Sequence, residues 1–136
     1  MNQPLVAIIV LNWRKPTETL ACLASLSYIT YPNARIIVVD NGSGDESVSL
    51  ISQHAPEVKV LETGTNLGYA GGNNVGVRYA LEYGADAVLI LNNDILVAPD
   101  FLEPLLDAAL PPAAPAIVTA AVCEMARRDV LWALGA

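Results

Sequence analysis

Residues 5–11 read LVAIIVL, an unbroken apolar run in which Val6, Ile8, Ile9 and Val10 are β-branched. A strand buried on both faces reads this way, because neither face has to alternate toward water. The signature returns as IIVVD over 36–40 and as AVLIL over 87–91, and a shorter strand is expected over 58–61. Between these runs the apolar period becomes helical. Pro16 opens a helix with Leu20, Leu23 and Leu26 on one stripe, broken by Tyr31-Pro32-Asn33. Ser43 and Glu46 form an S-x-x-E capping box that should start a second helix carrying Val48 and Ile51. Val75, Tyr79 and Leu81 mark a third helix, stopped by Gly84. Asp100 and Glu103 read as the cap of a fourth, with Leu102, Leu105, Leu106 and Ala109 on its apolar face and Pro111-Pro112 as its stop. Past a Pro/Ala linker, Ile117 to Val122 and Val130 to Leu134 read as two further strands.

Strands alternating with helices at this spacing imply right-handed crossovers, hence an α/β protein: a three-layer α/β/α sandwich with a mostly parallel sheet. Ligands of such sheets bind beyond the carboxyl ends of the strands. Asn12-Trp13, Asp40-Asn41, the stretch GTNLGYAGGNN over 64–74 and Asn92-Asn93-Asp94 should collect at that edge.

The 136 residues are 54% hydrophobic, with 14 acidic against 7 basic side chains and a net charge of −7. Residues 1–136 are therefore expected to form one compact domain with one core, too small for a two-domain enzyme. The charge, with no basic cluster larger than Arg14-Lys15 or Arg127-Arg128, excludes a nucleic-acid binder that tracks phosphates. Cys22 and Cys123 lack C-x-x-C spacing and His54 is the lone histidine, so no zinc cage can be assembled. Both cysteines read as small buried thiols, pointing to a reducing compartment. The amino-terminal apolar run is short and lacks a basic leader, which makes it a core strand and not a signal peptide. No stretch approaches the ~20 apolar residues of a membrane-spanning helix.

Asp40 closes a buried strand, so its carboxylate emerges at the strand's mouth. An acceptor-only group there suits a base N–H or a ribose hydroxyl; capping the Asn41-Gly42 turn is the competing role. The 64–74 stretch has neither G-x-G-x-x-G between the first strand and its helix nor G-K-[ST], which excludes a dinucleotide fingerprint and a P-loop. It reads either as a flexible turn or as a polar loop with Asn66 and Asn74 as handles. Asn92-Asn93-Asp94 supplies one carboxylate and two amide oxygens. That set suits Mg²⁺ or Mn²⁺ held jointly with substrate phosphates, unless it is only an Asx turn. A bridging cation would let an acidic protein bind a nucleotide diphosphate.

Taken in order, VAIIVLNW, IIVVDNGSGDES, TNLGYAGGNNVGV and VLILNNDILVAPDFL resemble the family 2 inverting glycosyltransferases, particularly rhamnosyltransferase-like bacterial members that build surface polysaccharides. The resemblance covers nearly the whole chain. It implies the GT-A fold, a nucleotide-diphosphate-sugar donor (a dTDP- or UDP-sugar), a divalent metal, and a glycan or lipid-linked acceptor. By position, Asn12 and Trp13 would line the nucleoside pocket and Asp40 would accept a hydrogen bond from the pyrimidine base. Gly68 and Asn74 would shape the nucleoside side. Asn92 and Asn93 stand in the first two places of the D-x-D-like motif, contacting ribose or phosphate, and Asp94 is its metal-binding acid. It also implies a cytoplasmic protein, or one peripheral at the inner face of the membrane. Association through an exposed sheet edge is a further expectation.

The departure is at the carboxyl end. The family's catalytic base and acceptor site follow a stretch like DVLWALGA, where this sequence stops at Ala136. Inverting transfer needs a carboxylate to deprotonate the acceptor hydroxyl. Glu124 and Asp129 precede that place and read as a solvated turn beside Arg127-Arg128, so no residue here is nominated as base. The sequence is thus expected to supply the donor-binding half of a glycosyltransferase. A non-catalytic nucleotide- or partner-binding module is the alternative. A sugar-phosphate nucleotidyltransferase ranks lower, because Asn12-Trp13-Arg14-Lys15-Pro16 has no glycine.

Overall fold

The structure, a computed structural model, describes residues 3–110 and 117–134. Its elements in chain order are β1 (Val6–Asn12), α1 (Pro16–Leu26), β2 (Ala34–Asp40), α2 (Ser47–His54), β3 (Lys59–Glu62), α3 (Gly68–Glu82), β4 (Ala87–Asn92), α4 (Leu102–Ala109), β5 (Ala121–Cys123) and β6 (Leu131–Leu134). The first four strands form one sheet in the order β3-β2-β1-β4, every pair parallel.

Alternation along β1 sorts the core into two halves. Val6, Ile8 and Val10 pack with Cys22, Leu23 and Leu26 of α1, Ile51 of α2, and Leu102 and Leu106 of α4. Ala7 and Ile9 point the other way, and pack with Ile37, Val39 and Ala80 of α3. Helices therefore cover both faces, giving the three-layer sandwich and parallel sheet that the apolar runs imply. Each fully buried Val or Ile contributes about 1.5–3 kcal/mol, so β1, covered on both faces, anchors the fold.

Four local expectations are corrected. The helix anticipated from Val75 begins at Gly68, so most of GTNLGYAGGNN is helix and not loop. Glycine costs about 1 kcal/mol in a helix, but here closeness to the sheet overrides propensity. A Cβ on Gly72 would lie 2.6 Å from Leu11 Cδ1, and one on Gly76 would lie 2.7 Å from Ile9 Cγ2. The Ser43–Glu46 capping box does not form. α2 starts at Ser47, whose N–H is accepted at 2.8 Å by Asp45, and Ser43 turns its hydroxyl to Asp40 instead. Ser47, through its side chain first and its N–H second, holds the Asp45 carboxyl below the usual carboxylate range. Asp100 likewise caps nothing: α4 starts at Leu102 without a side-chain cap, and Glu103 Oε1 accepts the Thr30 hydroxyl at 2.6 Å. Finally, β5 is shorter than the pattern suggests; it pairs antiparallel with β6 across the turn expected at 124–129, apart from the main sheet. Cys123 is exposed on this ribbon and only Cys22 is a buried thiol. The Pro111-Pro112 stop lies outside the described residues.

The outer edges of the sheet differ. β3 is four residues long and carries exposed Lys59 and Glu62, whereas β4 has six residues with no charge and Ile90 is 46% exposed. Among the described residues, no helix is long and apolar enough to cross a membrane.

Candidate functional site

The register Asn12↔Asp40 places the last residues of β1 and β2 side by side at the carboxyl end of the sheet. Both are buried, at 0% and 3% exposure, and polar groups so buried must be paired. Asn12 Nδ2 donates to Asp40 Oδ1 at 2.9 Å and to Ser43 Oγ at 3.3 Å, and Asn12 Oδ1 accepts the Thr19 hydroxyl at 2.6 Å. Ser43 donates its hydroxyl to Asp40 Oδ1 at 2.6 Å and its N–H to Asp40 Oδ2 at 3.0 Å. Asn93 Nδ2 reaches into the same chain, donating to Thr19 Oγ1 at 3.1 Å. One polar network therefore runs from the loop after β4, through the α1 face, to the mouth of β2.

Asp40 caps the turn after β2 through these bonds. An ionised carboxylate has about four lone-pair positions. Oδ1 accepts two of the bonds and Oδ2 one, so Oδ2 keeps one acceptor position for a ligand donor.

Arg14 closes the rim. It is the one non-glycine residue with a left-handed backbone among the described residues, at φ 55°, a conformation costing about 1–3 kcal/mol. Ser43 holds it there: Arg14 N donates to Ser43 Oγ at 2.9 Å and Arg14 Nε to the Ser43 carbonyl at 3.0 Å. The guanidinium lies 5.1 Å from the centre of the Trp13 ring, and Trp13 is 45% exposed. An open aromatic face beside a fixed cation can receive a planar, negatively charged ligand.

The Gly/Asn stretch is fastened to this edge by Asn41. Its Nδ2 donates to Asn66 Oδ1 at 3.2 Å and to the Gly68 carbonyl at 3.1 Å, and its Oδ1 accepts Leu67 N–H at 3.0 Å. Gly68 starts α3 at φ 76° with open space beside it. Asn74 stands exposed on α3 and makes none of the network's hydrogen bonds; its neighbour Asn73 is the buried one, donating to the Tyr69 carbonyl at 3.0 Å.

At the end of β4 the first two residues of the N-N-D stretch have separate partners and the third has none among the described residues. Asn92 Oδ1 accepts the Tyr69 hydroxyl at 2.8 Å, Asn93 is tied to Thr19, and Asp94 is exposed with no hydrogen-bond partner among the described residues. The structure thus brings Asn12, Asp40 and Asn93 into one network, sets Trp13, Gly68, Asn92 and Asp94 on its rim, and leaves Asn74 outside.

Among the described residues no group of three His, Cys, Asp or Glu side chains could cage a metal. Mg²⁺ and Mn²⁺ do not require one. They accept one or two carboxylates completed by substrate phosphates and water, and Asp94 with the unengaged Oδ1 of Asn93 fits that shared mode. Asp94 also acts on Cys22: burial first, then the Asp94 charge, pushes that thiol from 9.0 up to about 11. Because the folded value is raised, the stability tied to the neutral thiol is complete below pH 9 and is lost as pH rises toward 11. A thiol titration of the native chain at pH 8 is expected to count one reactive group, Cys123, with Cys22 reacting only after unfolding.

Thr19, Ser43 and Arg14 are site residues that the sequence pattern did not place at the site, whereas Asn41 and Tyr69 were expected at that edge only as parts of the Asp40-Asn41 and 64–74 stretches. Of the three, Thr19 left a signal. It is a polar residue on the stripe of Leu23 and Leu26, which a helix can bury only with a partner. On the β5–β6 ribbon, Glu124 is paired with Arg127 at 2.9 Å, a surface contact of the turn.

A parallel α/β/α sheet in this order, with polar residues gathered at the carboxyl ends of β1, β2 and β4, is the arrangement shared by the GT-A glycosyltransferases whose structures this chain resembles. Comparison with known proteins gives the family. Residues 6–134 match the model described as glycosyl transferase family 2, and the chain belongs to that family. It is 36% identical over 95 residues to the N-acetylglucosaminyl-diphospho-decaprenol L-rhamnosyltransferase of Mycobacterium tuberculosis, covering 64% of this chain and 31% of that protein. It is 33% identical over 91 residues to the low-salt glycan biosynthesis hexosyltransferase Agl10 of Haloferax volcanii, covering 66% and 28%. The chain thus spans about a third of the length of these relatives. Among solved structures, the mannosyltransferase PcManGT of Pyrobaculum calidifontis, in complex with GDP-Man and Mn²⁺, superposes with a TM-score of 0.72 at 23% identity, over 82% of this chain and 34% of that one. S. aureus TarS in complex with UDP superposes with a TM-score of 0.64 at 22% identity, over 77% and 32%. At these identities the likeness concerns the fold.

Proposed function

We propose that residues 1–136 form a single domain, the donor-binding part of an inverting glycosyltransferase that moves a sugar from a nucleotide-diphosphate sugar, a dTDP- or UDP-sugar, to a glycan or lipid-linked acceptor. The observation that carries this reading is the juxtaposition of the buried Asn12–Asp40 pair, which has one acceptor position left, with the unpaired carboxylate of Asp94 on the same sheet edge. The first suits the N–H of a base or a ribose hydroxyl. The second suits a divalent cation shared with a diphosphate. Trp13 and Gly68 line the nucleoside side, and Asn92 and Asn93 face ribose or phosphate. A bound Mg²⁺ or Mn²⁺ would screen the diphosphate charge and stabilise it as leaving group. Neighbours in complex with GDP-Man and Mn²⁺, and with UDP, support the ligand class. A donor of this kind places the chain in the cytoplasm, at the inner membrane face where the acceptor is lipid-linked.

Isothermal titration with UDP, dTDP and GDP, with and without Mn²⁺, tests the reading. UDP or dTDP is expected to bind more tightly with Mn²⁺, and Asp94→Ala, an exposed change, to remove that gain at unchanged stability. Absence of binding by all three nucleotides, or an Asp94→Ala titration identical to the wild type, would overturn it.

A further inference from the structure

In the row Asp40, Asn12, Thr19, Asn93 each hydrogen bond fixes the direction of the next. The Asp40 carboxylate can only accept, and it takes an amide proton of Asn12 at 2.9 Å together with the hydroxyl and N–H protons of Ser43. The other Asn12 amide proton goes to Ser43 Oγ at 3.3 Å, whose own proton is already given to Asp40. The Asn12 NH₂ therefore faces Asp40, and its carbonyl oxygen faces Thr19. Thr19 spends its single proton on that oxygen at 2.6 Å, which leaves it only as an acceptor toward Asn93. Asn93 can meet it through the NH₂ alone, at 3.1 Å. A carboxylate at the mouth of β2 thus decides, at the far end of the row, that Asn93 turns its carbonyl oxygen away from the protein.

That oxygen is accessible. Among the described residues the buried side-chain oxygens and nitrogens without a partner belong to Ser47, Asn73, Tyr83 and Glu103; half-buried Asn93, whose Oδ1 has no partner either, is not one of them. Exposed Asp94 follows it in the chain. Both lie against one stretch of α1: Asn93 is bonded to Thr19, and the Asp94 charge is felt at the Cys22 thiol, one turn further along. Asn92 is turned to the opposite layer. Its Oδ1 accepts the Tyr69 hydroxyl of α3 at 2.8 Å, so the NH₂ is the group it leaves free. Adjacent amides are held with opposite polarity, one offering an oxygen beside a carboxylate and the other a donor.

Resting on the donor-binding reading of the same edge, we infer that Thr19 is a positioning residue for the cation: it holds the Asn93 carbonyl oxygen outward as a second protein ligand beside Asp94, while Asn92 serves the nucleotide as a donor and takes no part in holding the cation. Hard divalent cations accept neutral amide oxygens together with carboxylates. Asn93 then meets the phosphates through the cation, and Asn92 meets ribose or phosphate directly. Thr19 is wholly buried and touches no ligand itself.

The test follows Mn²⁺ through the electron paramagnetic resonance signal of the free ion, with the whole chain saturated by UDP or dTDP, and follows the nucleotide alone by calorimetry. Asn93→Ala leaves no buried donor unpaired, and is expected to weaken Mn²⁺ binding about tenfold while the Mn²⁺-free nucleotide affinity is kept. Thr19→Val, which removes the hydroxyl and keeps the outline of the side chain, should do the same, and Thr19→Ser should restore the wild-type value. Asn92→Ala should weaken the nucleotide with and without Mn²⁺ alike. Exchange of side-chain amide protons, read by NMR without any ligand, checks the polarity itself: those of Asn93 should exchange far more slowly than those of exposed Asn74, and Thr19→Val should release them. If Thr19→Val fails to fold, for want of a partner to the buried Asn12 Oδ1, the Asn93→Ala and exchange measurements decide. A wild-type chain that binds neither nucleotide nor Mn²⁺ would overturn the donor-binding reading, and this inference with it. Wild-type Mn²⁺ binding in Asn93→Ala or in folded Thr19→Val, loss of Mn²⁺ in Asn92→Ala alone, or Asn93 protons as free as those of Asn74 would overturn this inference and leave that reading standing.

Discussion

Gly76→Val is expected to melt roughly 6–10 °C below the wild-type chain in a calorimetric scan, a loss of about 2 kcal/mol. A Cβ at Gly76 would sit 2.7 Å from Ile9 Cγ2 and 3.1 Å from both Ile9 Cδ1 and Val39 Cγ2. Ile9 Cγ2 and Val39 Cγ2 are methyls fixed directly to Cβ, and only Ile9 Cδ1 can turn about a further bond. Ile9 and Val39 are wholly buried on strands whose register is fixed from both sides, so α3 itself must lift. Overpacking of this kind costs about 1–3 kcal/mol for one added group, and valine adds a second and third carbon. The helix-propensity gain over glycine, roughly half a kcal/mol, works in the opposite direction but is smaller. Gly72→Ala is the milder comparison, because its closest neighbour, Leu11 Cδ1 at 2.6 Å, is a terminal methyl that can swing away. Equal melting temperatures for Gly76→Val and the wild type would mean that α3 does not rest on the sheet as closely as described.

The second large effect is expected from Asp40→Asn. Three donors converge on this carboxylate: the Asn12 amide, the Ser43 hydroxyl and the Ser43 N–H. An asparagine must turn an NH₂ group toward at least one of them, so a donor meets a donor in a site that is 3% exposed. Loss of a hydrogen bond to a charged group together with a buried unsatisfied donor amounts to about 3 kcal/mol. In urea the midpoint should fall with an unchanged slope, the mark of lost stability and not of an altered unfolded state. Nucleotide binding should fall with it under conditions where the variant is still folded. A variant as stable as the wild type would show that the network contributes little to the fold.

These two positions mark where the sequence was legible and where it was not. β1, β2 and β4 were readable because a parallel strand buried on both faces leaves a continuous apolar run, and Asn12 and Asp40 were readable because each follows such a run directly. The start of α3 was hidden. Its first two turns contain Gly68, Gly71 and Gly72 with Asn73 and Asn74, a composition that favours loop locally. Only the nearness of Leu11 and Ile9 across the sheet makes it helical. The caps failed for a related reason: Ser43 is taken by Asp40, three residues before it, and by the distant Arg14, and Glu103 by the distant Thr30, and these bonds outcompeted the capping ones. Thr19 to Asn93 spans 74 positions in the sequence, and no local pattern records such a pairing.

The unequal borders of the sheet give its growth a direction. A short strand bearing charges resists the approach of another strand, whereas a longer uncharged one acts as a template for it. β3 is the first kind and β4 the second. Any strand that enlarges this sheet, from whatever chain it comes, therefore docks alongside Ala87–Asn92. It would run past Ile90 and bring its own side chains to the flank of Asn92, Asn93 and Asp94, so the open border is also the side from which new chemistry can be delivered.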